Sequence, residues 1–324
     1  MSFASQPQTN ITAGLQYQGL LERLMLSTLT TLPCCVFLFI NGFMLFTLRS
    51  KLVFRETSRF ILLFNLLCAD TMQMALSQIM YLLSICRIRL TYPVCGFLVN
   101  VLTLTNKISP LTLVVMSLER YVAVCFPLRH TTIITMRNTA VAIFVVWFFS
   151  SLNILTRVIL MLDFPFEDLE SLQMKDFCGA LVIFLGPMSE HYDNAFTYFL
   201  FGSASVVITS TYIAVMIAAR SASTDKASAQ KARNTLLLHL VQLGLSLSST
   251  LHNLLLVTFS KFLTRIEFVR ILYVFYVFFI ILPKCLSSLI YGLRDQTIRY
   301  ALLYHLCCRL TSQQRLKCHP KTLC

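Results

Sequence analysis

Seven stretches of this chain are apolar and nearly free of charge: about Leu24–Leu48, Phe60–Ile85, Val94–Met116, Thr139–Leu162, Ala195–Ala219, Thr235–Phe259 and Ile271–Leu293. About 20 helical residues cross the ~30 Å hydrocarbon core of a bilayer, and each stretch reaches that length. In lipid every backbone polar group must find its partner within its own segment, so the stretches are expected to be helices. Charge is scarce, 13% of 324 residues, where a soluble globular chain carries about 25%. The expected fold class is an all-α membrane protein, a seven-transmembrane helix bundle.

The basic residues orient the bundle. Seventeen lie on the side of the first, third and fifth connections and the tail, against seven on the opposite side. The positive-inside rule then places the N-terminus outside and the C-terminus in the cytosol. The expected organisation is an extracellular tail (1–23), a transmembrane domain (24–293) and a cytoplasmic tail (294–324). That tail opens on an amphipathic helix bearing Arg294, Ile298, Arg299, Leu302, Leu303 and Leu306. The net charge of +13 is explained by these loops and implies no nucleic-acid partner; the partner is the bilayer. Residues 1–20 are polar and lack the apolar core of a signal peptide, so the first span is expected to act as its own insertion signal. Asn10-Ile11-Thr12 fits the glycosylation acceptor N-x-S/T. The loop about Asp163–Asn194 is acidic and carries Cys178. No inverted internal repeat of the transporter kind is visible. No cysteine or histidine pair has zinc spacing, and no span pairs a nucleophile with a base, so neither a metal site nor an enzyme is expected.

Ionisable groups inside spans are costly, about 2.5–3.5 kcal/mol on insertion scales, and by default mark function. Asp70 lies in the middle of span two, Lys107 in span three, Arg157 in span four and Lys284 in span seven. Asp70 is expected to form an interior polar or cation site, with a plain inter-helix hydrogen bond as the alternative. Lys107 meets either an anionic or strongly accepting ligand group or an internal partner. Arg157 sits near the outer end of its span, where a snorkelling role is expected. Glu119-Arg120-Tyr121 closes span three.

Several motifs coincide. Glu119-Arg120-Tyr121 stands with its arginine 25 residues after Cys95 and is followed by Pro127-Leu128-Arg129-His130. Asn65-Leu-Leu-Cys-Ala-Asp70 lies in span two and Asn41 in span one. Lys231-Ala-Arg-Asn-Thr-Leu-Leu-Leu-His239-Leu240 opens span six, and Thr211-Tyr212 lies in span five. Pro283-Lys-Cys-Leu-Ser287-Ser288-Leu-Ile-Tyr291 ends span seven. Together they resemble the rhodopsin-like (class A) G-protein-coupled receptors, and the pattern K-A-x-x-T-x-x-x-H-L resembles the odorant-receptor branch, with a flavour closer to its fish members. The resemblance covers about residues 20–310.

That resemblance implies a receptor for a small extracellular molecule, an odorant, that activates a heterotrimeric G protein of the stimulatory olfactory type and raises cAMP. It implies a plasma-membrane location in sensory cilia. Glu119, Arg120, Tyr121, Tyr212, Lys231, His239 and Tyr291 would form the coupling and activation switch. Asn41, Asp70, Ser109 and Ser287 would line a polar core holding a sodium ion at Asp70, the one cofactor implied. Cys95 and Cys178 would form a disulfide, and Cys307 and Cys308 would be palmitoylated or remain free cytosolic thiols. The ligand would lie in the outer half of helices three, five, six and seven, near Leu102, Asn106 and Lys107. Leu102 stands where amine receptors of this class carry an aspartate, so an aminergic ligand is not expected.

Three departures from the family pattern stand out. Ser287-Ser288 replaces Asn-Pro, removing a helix distortion and an amide partner for Asp70; and the aromatic expected near Leu247 is absent. In the second extracellular loop, Cys178 has no further cysteine beside it. Two other readings remain at this point: a class A receptor for a tastant or other non-odorant molecule, and a transporter or channel.

Overall fold

The computed structural model describes residues 20–50, 52–86, 88–162, 173, 174, 178, 187–222, 240, 241, 244, 245, 247–260, 262, 267, 271, 274–286, 290 and 298. Five helices are long and apolar enough to cross a membrane: α1 (Leu20–Ser50), α2 (Ser58–Ile85), α3 (Tyr92–Cys125), α4 (Met136–Leu162) and α5 (Pro187–Ala222). Two further segments belong to the last two spans, α6 (His252–Ser260) and α7 (Tyr276–Leu286). Among the described residues no strand forms, and a single bridge joins Thr91 to Gln173.

Local chemistry sets the ends of α3. Thr91 enters it in an extended conformation and proline occupies its first turn, where the missing N–H is no loss. It stops at Cys125 because Phe126 precedes Pro127 and is forced out of the helical region, to φ −130 and ψ 57. At 1.5 Å per residue its 34 residues span roughly 50 Å, longer than the hydrocarbon core. It is the central helix, packed against α2, α4, α5 and the turn Ser249–Leu251. α1 packs on α2 and α7, and α6 packs on α7.

The apolar residues divide between the interior and the lipid. Met44, Leu63, Leu66, Leu113, Met116 and Ile208 form one buried cluster with Leu247. Leu247, where an aromatic was expected, is therefore a core residue. Ile298 of the amphipathic tail segment also buries in this cluster. Phe39, Phe97, Phe144, Phe148, Phe199 and Val206 stay exposed on the outer faces. In water such a surface would aggregate; here it meets acyl chains.

Several boundaries differ from the sequence expectation. α1 starts at Leu20 and α3 runs on to Cys125. α5 begins at Pro187, so Tyr192 and Asp193, read from sequence as loop residues, lie on a helix. A charged stretch looks like loop when only hydropathy is counted; here the charge turns inward and is paired. α7 is distorted despite lacking the expected proline at Ser288: Tyr276–Ile281 forms a π turn. It lies just before Pro283, whose missing N–H deprives the Phe279 carbonyl of its usual donor. Such wide turns recur at functional sites.

Candidate functional site: a polar core, a charged foot and an outer cationic cluster

Asp70 is 2% exposed on α2 and Lys284 is 3% exposed on α7. The Lys284 Nζ donates to Asp70 Oδ1 at 2.6 Å. Ser109 of α3 donates its hydroxyl to the same oxygen. Three helices are thus joined at one carboxylate. The low dielectric that makes an isolated charge so costly strengthens this attraction. Lys284 carried no assignment from sequence. The signal was present, a second ionisable residue in an apolar span of opposite sign to Asp70. Asn41 is buried on α1.

Just over one turn toward the N-terminus of α2, Asn65 ties three helices. Its Nδ2 donates to Thr112 Oγ1 at 3.0 Å, and the indole of Trp147 donates to its Oδ1 at 2.9 Å. The single tryptophan of the chain thereby holds α4 against α2 and α3.

At the C-terminal end of α3, Arg120 Nε lies 3.6 Å from Glu119 Oε2. His130, from the short basic connection, places Nε2 3.9 Å from the other oxygen of Glu119. Glu119 is buried and Arg120 half-buried, so this pair is held in place. Tyr121 stacks edge-on against Phe126 at 5.7 Å between ring centres. Tyr212 is half-buried on α5 beside Thr211, whose hydroxyl turns back to the Val207 carbonyl.

A second buried charged group lies toward the N-terminal half of α3, among α3, α4 and α5. Lys107 is 3% exposed; its Nζ donates to Thr197 Oγ1 at 2.8 Å and lies 5.3 Å from the centre of the Phe196 ring. Arg157 is 5% exposed and does not snorkel. It donates to Thr103 Oγ1 at 2.9 Å and faces Asp193 at 3.5 Å. The early start of α5 explains the correction, because it carries Asp193 into the bundle. Leu102 and Asn106 are half-buried on α3 beside Lys107, and Gln73 of α2 donates to Asn106 Oδ1 at 3.0 Å.

Above this group Cys95 and Cys178 form a disulfide. The Met174 N–H donates to the Leu90 carbonyl at 3.1 Å, fixing the loop beside it. Cys86 is exposed and outside the bridge. Lys231, His239, Ser287, Tyr291, Asn10, Cys307 and Cys308 lie outside the described residues. Among the described residues no His, Cys, Asp and Glu cluster could hold a metal ion.

A central α3 closed by a disulfide at its N-terminal end and an acid–arginine pair at its C-terminal end, around a polar core, defines a seven-helix receptor. The sequence profile described as 7 transmembrane receptor (rhodopsin family) matches residues 40–291, and the chain belongs to that family. It is 32% identical over 278 residues to Odorant receptor 131-2 of Danio rerio, covering 84% of this chain and 83% of that receptor. It is 30% identical over 198 residues to the human Olfactory receptor 2A1/2A42, covering 59% of this chain and 61% of that one. These relatives place it with the odorant-type receptors of the family rather than with enzymes.

Proposed function

We propose that this chain is an odorant receptor that takes a small extracellular molecule into the outer half of the bundle. The signal would pass to a heterotrimeric G protein of the stimulatory olfactory type and raise cAMP. The setting would be the plasma membrane of sensory cilia, with the N-terminus outside. The observation that carries the reading is the Glu119–Arg120 pair at the foot of α3. An arginine held by its acidic neighbour is available to a cytosolic partner only when that pair opens. A bound molecule can drive the opening only if it contacts the open state better than the closed one. Tyr121 and Tyr212, with Lys231, His239 and Tyr291, belong to the same switch in this reading.

The experiment is cAMP accumulation in cells expressing the chain with an olfactory stimulatory G protein, across an odorant panel. Arg120→Ala is run beside it at matched surface expression. Responses in the parent that vanish in Arg120→Ala support the proposal. Equal responses in both break the link between Arg120 and signalling.

The polar core departs from the sodium site that the resemblance implies. A sodium ion at Asp70 would need the carboxylate edge that the Lys284 ammonium already occupies at 2.6 Å. Two cations held against one carboxylate repel strongly inside a membrane. The residues therefore do not fit the ion, and in this reading Lys284 supplies the positive charge itself.

A further inference from the structure

We propose that the cluster of Lys107, Arg157 and Asp193 is the recognition site for a carboxylate-bearing ligand. This deepens the receptor reading above and rests on it for the link to signalling. The three side chains come from α3, α4 and α5, and each is largely withdrawn from solvent. Asp193 faces Arg157, and among the described residues Lys107 has no carboxylate at ion-pairing distance. The Lys107 ammonium is thus a buried charge that no carboxylate meets among the described residues.

Lys107 is held by a neutral hydroxyl and an aromatic face. Thr197 accepts its proton at 2.8 Å, and the Phe196 ring lies 5.3 Å away. These contacts orient an ammonium without neutralising it. A buried cation left in that state is costly, and a ligand that supplies the missing negative charge recovers the difference. The charge count selects the ligand. A monoanion matches the single Lys107 ammonium, whereas a phosphate dianion would overshoot it by one negative charge. Thr197 accepts from Lys107 and keeps its own hydroxyl proton, so a carboxylate reaching Lys107 meets two donors.

The surroundings suit the rest of such a molecule. Phe196 stands in a row of aromatic rings with Phe149 and Tyr192, at 5.7 and 6.2 Å between centres. Leu102 lies on the outward side of Lys107 on α3, and Asn106 is its neighbour in sequence. A carboxylate head on Lys107 with an apolar or aromatic body against these rings is the ligand that the site fits. Asp193 takes the role of a positioning residue: it faces Arg157 at 3.5 Å and helps to hold it in the cluster.

The test uses the full chain purified in lipid nanodiscs, with butanoic, hexanoic, octanoic and phenylacetic acids as probes. Each acid is compared with its methyl ester and primary alcohol. At least one acid should raise the melting temperature, and its ester and alcohol should not. Lys107→Gln should weaken acid binding by about 30-fold or more, and Lys107→Arg should retain part of it. Stabilisation by the neutral analogues alone, by no acid at all, or by acids equally in Lys107→Gln overturns the proposal. The same panel is run for cAMP. Responses to neutral odorants alone that depend on Arg120 would sink the carboxylate site and leave the receptor reading standing. Lys107-dependent binding of an acid with no cAMP response would uphold the site and sink the coupling.

Discussion

Lys284 on α7 reaches across 214 positions of sequence to donate to Asp70 on α2 at 2.6 Å. Removing one partner of a buried ion pair leaves the other charge uncompensated, at about 3–5 kcal/mol. Removing both leaves none.

Lys284→Met should therefore lower the melting temperature of the purified receptor and its surface level more than Lys284→Met/Asp70→Asn does. Melting curves of the parent, both single variants and the double variant check this. A double variant as unstable as the sum of the singles would mean that the two residues do not interact.

Because Lys284 fills the carboxylate, exchanging sodium for potassium at constant ionic strength should leave the parent's melting temperature unchanged. Lys284→Ala vacates the carboxylate and should confer a sodium-dependent rise. Melting curves in the two salts decide it; a sodium effect in the parent would show that the ammonium does not exclude the ion.

The Glu119–Arg120 pair is partly exposed and separated by 3.6 Å, so it contributes about 1 kcal/mol at most. That is about a fivefold change in the balance of resting and active states. Glu119→Gln should raise ligand-free cAMP by a few fold and not by orders of magnitude. Basal cAMP per surface receptor measures it.

Trp147→Phe keeps the aromatic bulk but withdraws the indole N–H from Asn65 Oδ1. An acceptor left unmet inside the bundle costs about 1–3 kcal/mol. Asn65→Leu removes both polar ends of this contact on α2 but strands the Thr112 side chain only partly, since its hydroxyl also donates to the Ile108 carbonyl at 2.8 Å. Adding Asn65→Leu to Trp147→Phe should therefore cost less than its effect alone. Thermal unfolding of the two single variants and the double variant tests the coupling.

Much of the candidate site was legible because it is local in sequence. Glu119 and Arg120 are neighbours, and their place at the end of a span follows from hydropathy. Asp70 was conspicuous as an acid among apolar residues. Partners were harder to read. Arg157 near a span end looked like a snorkelling residue, and Asp193 looked like part of an acidic loop; the register of α5 turned both inward. The loss of Asn-Pro suggested an Asp70 without its amide partner and an undistorted last helix. Lys284 supplies a partner instead, and a π turn supplies the distortion.

The sequence by itself determined that the chain crosses a membrane as helices, and it supplied the expectation of which end faces the cytosol. Those properties follow from the length of each apolar run and the placement of basic residues, and each can be summed along the chain. Only the tertiary structure decided which buried charges meet. Pairing depends on the rotation and register of helices far apart in sequence. A turn of one helix by a single residue, about 100°, would carry Lys284 away from Asp70 without altering the hydropathy of any span.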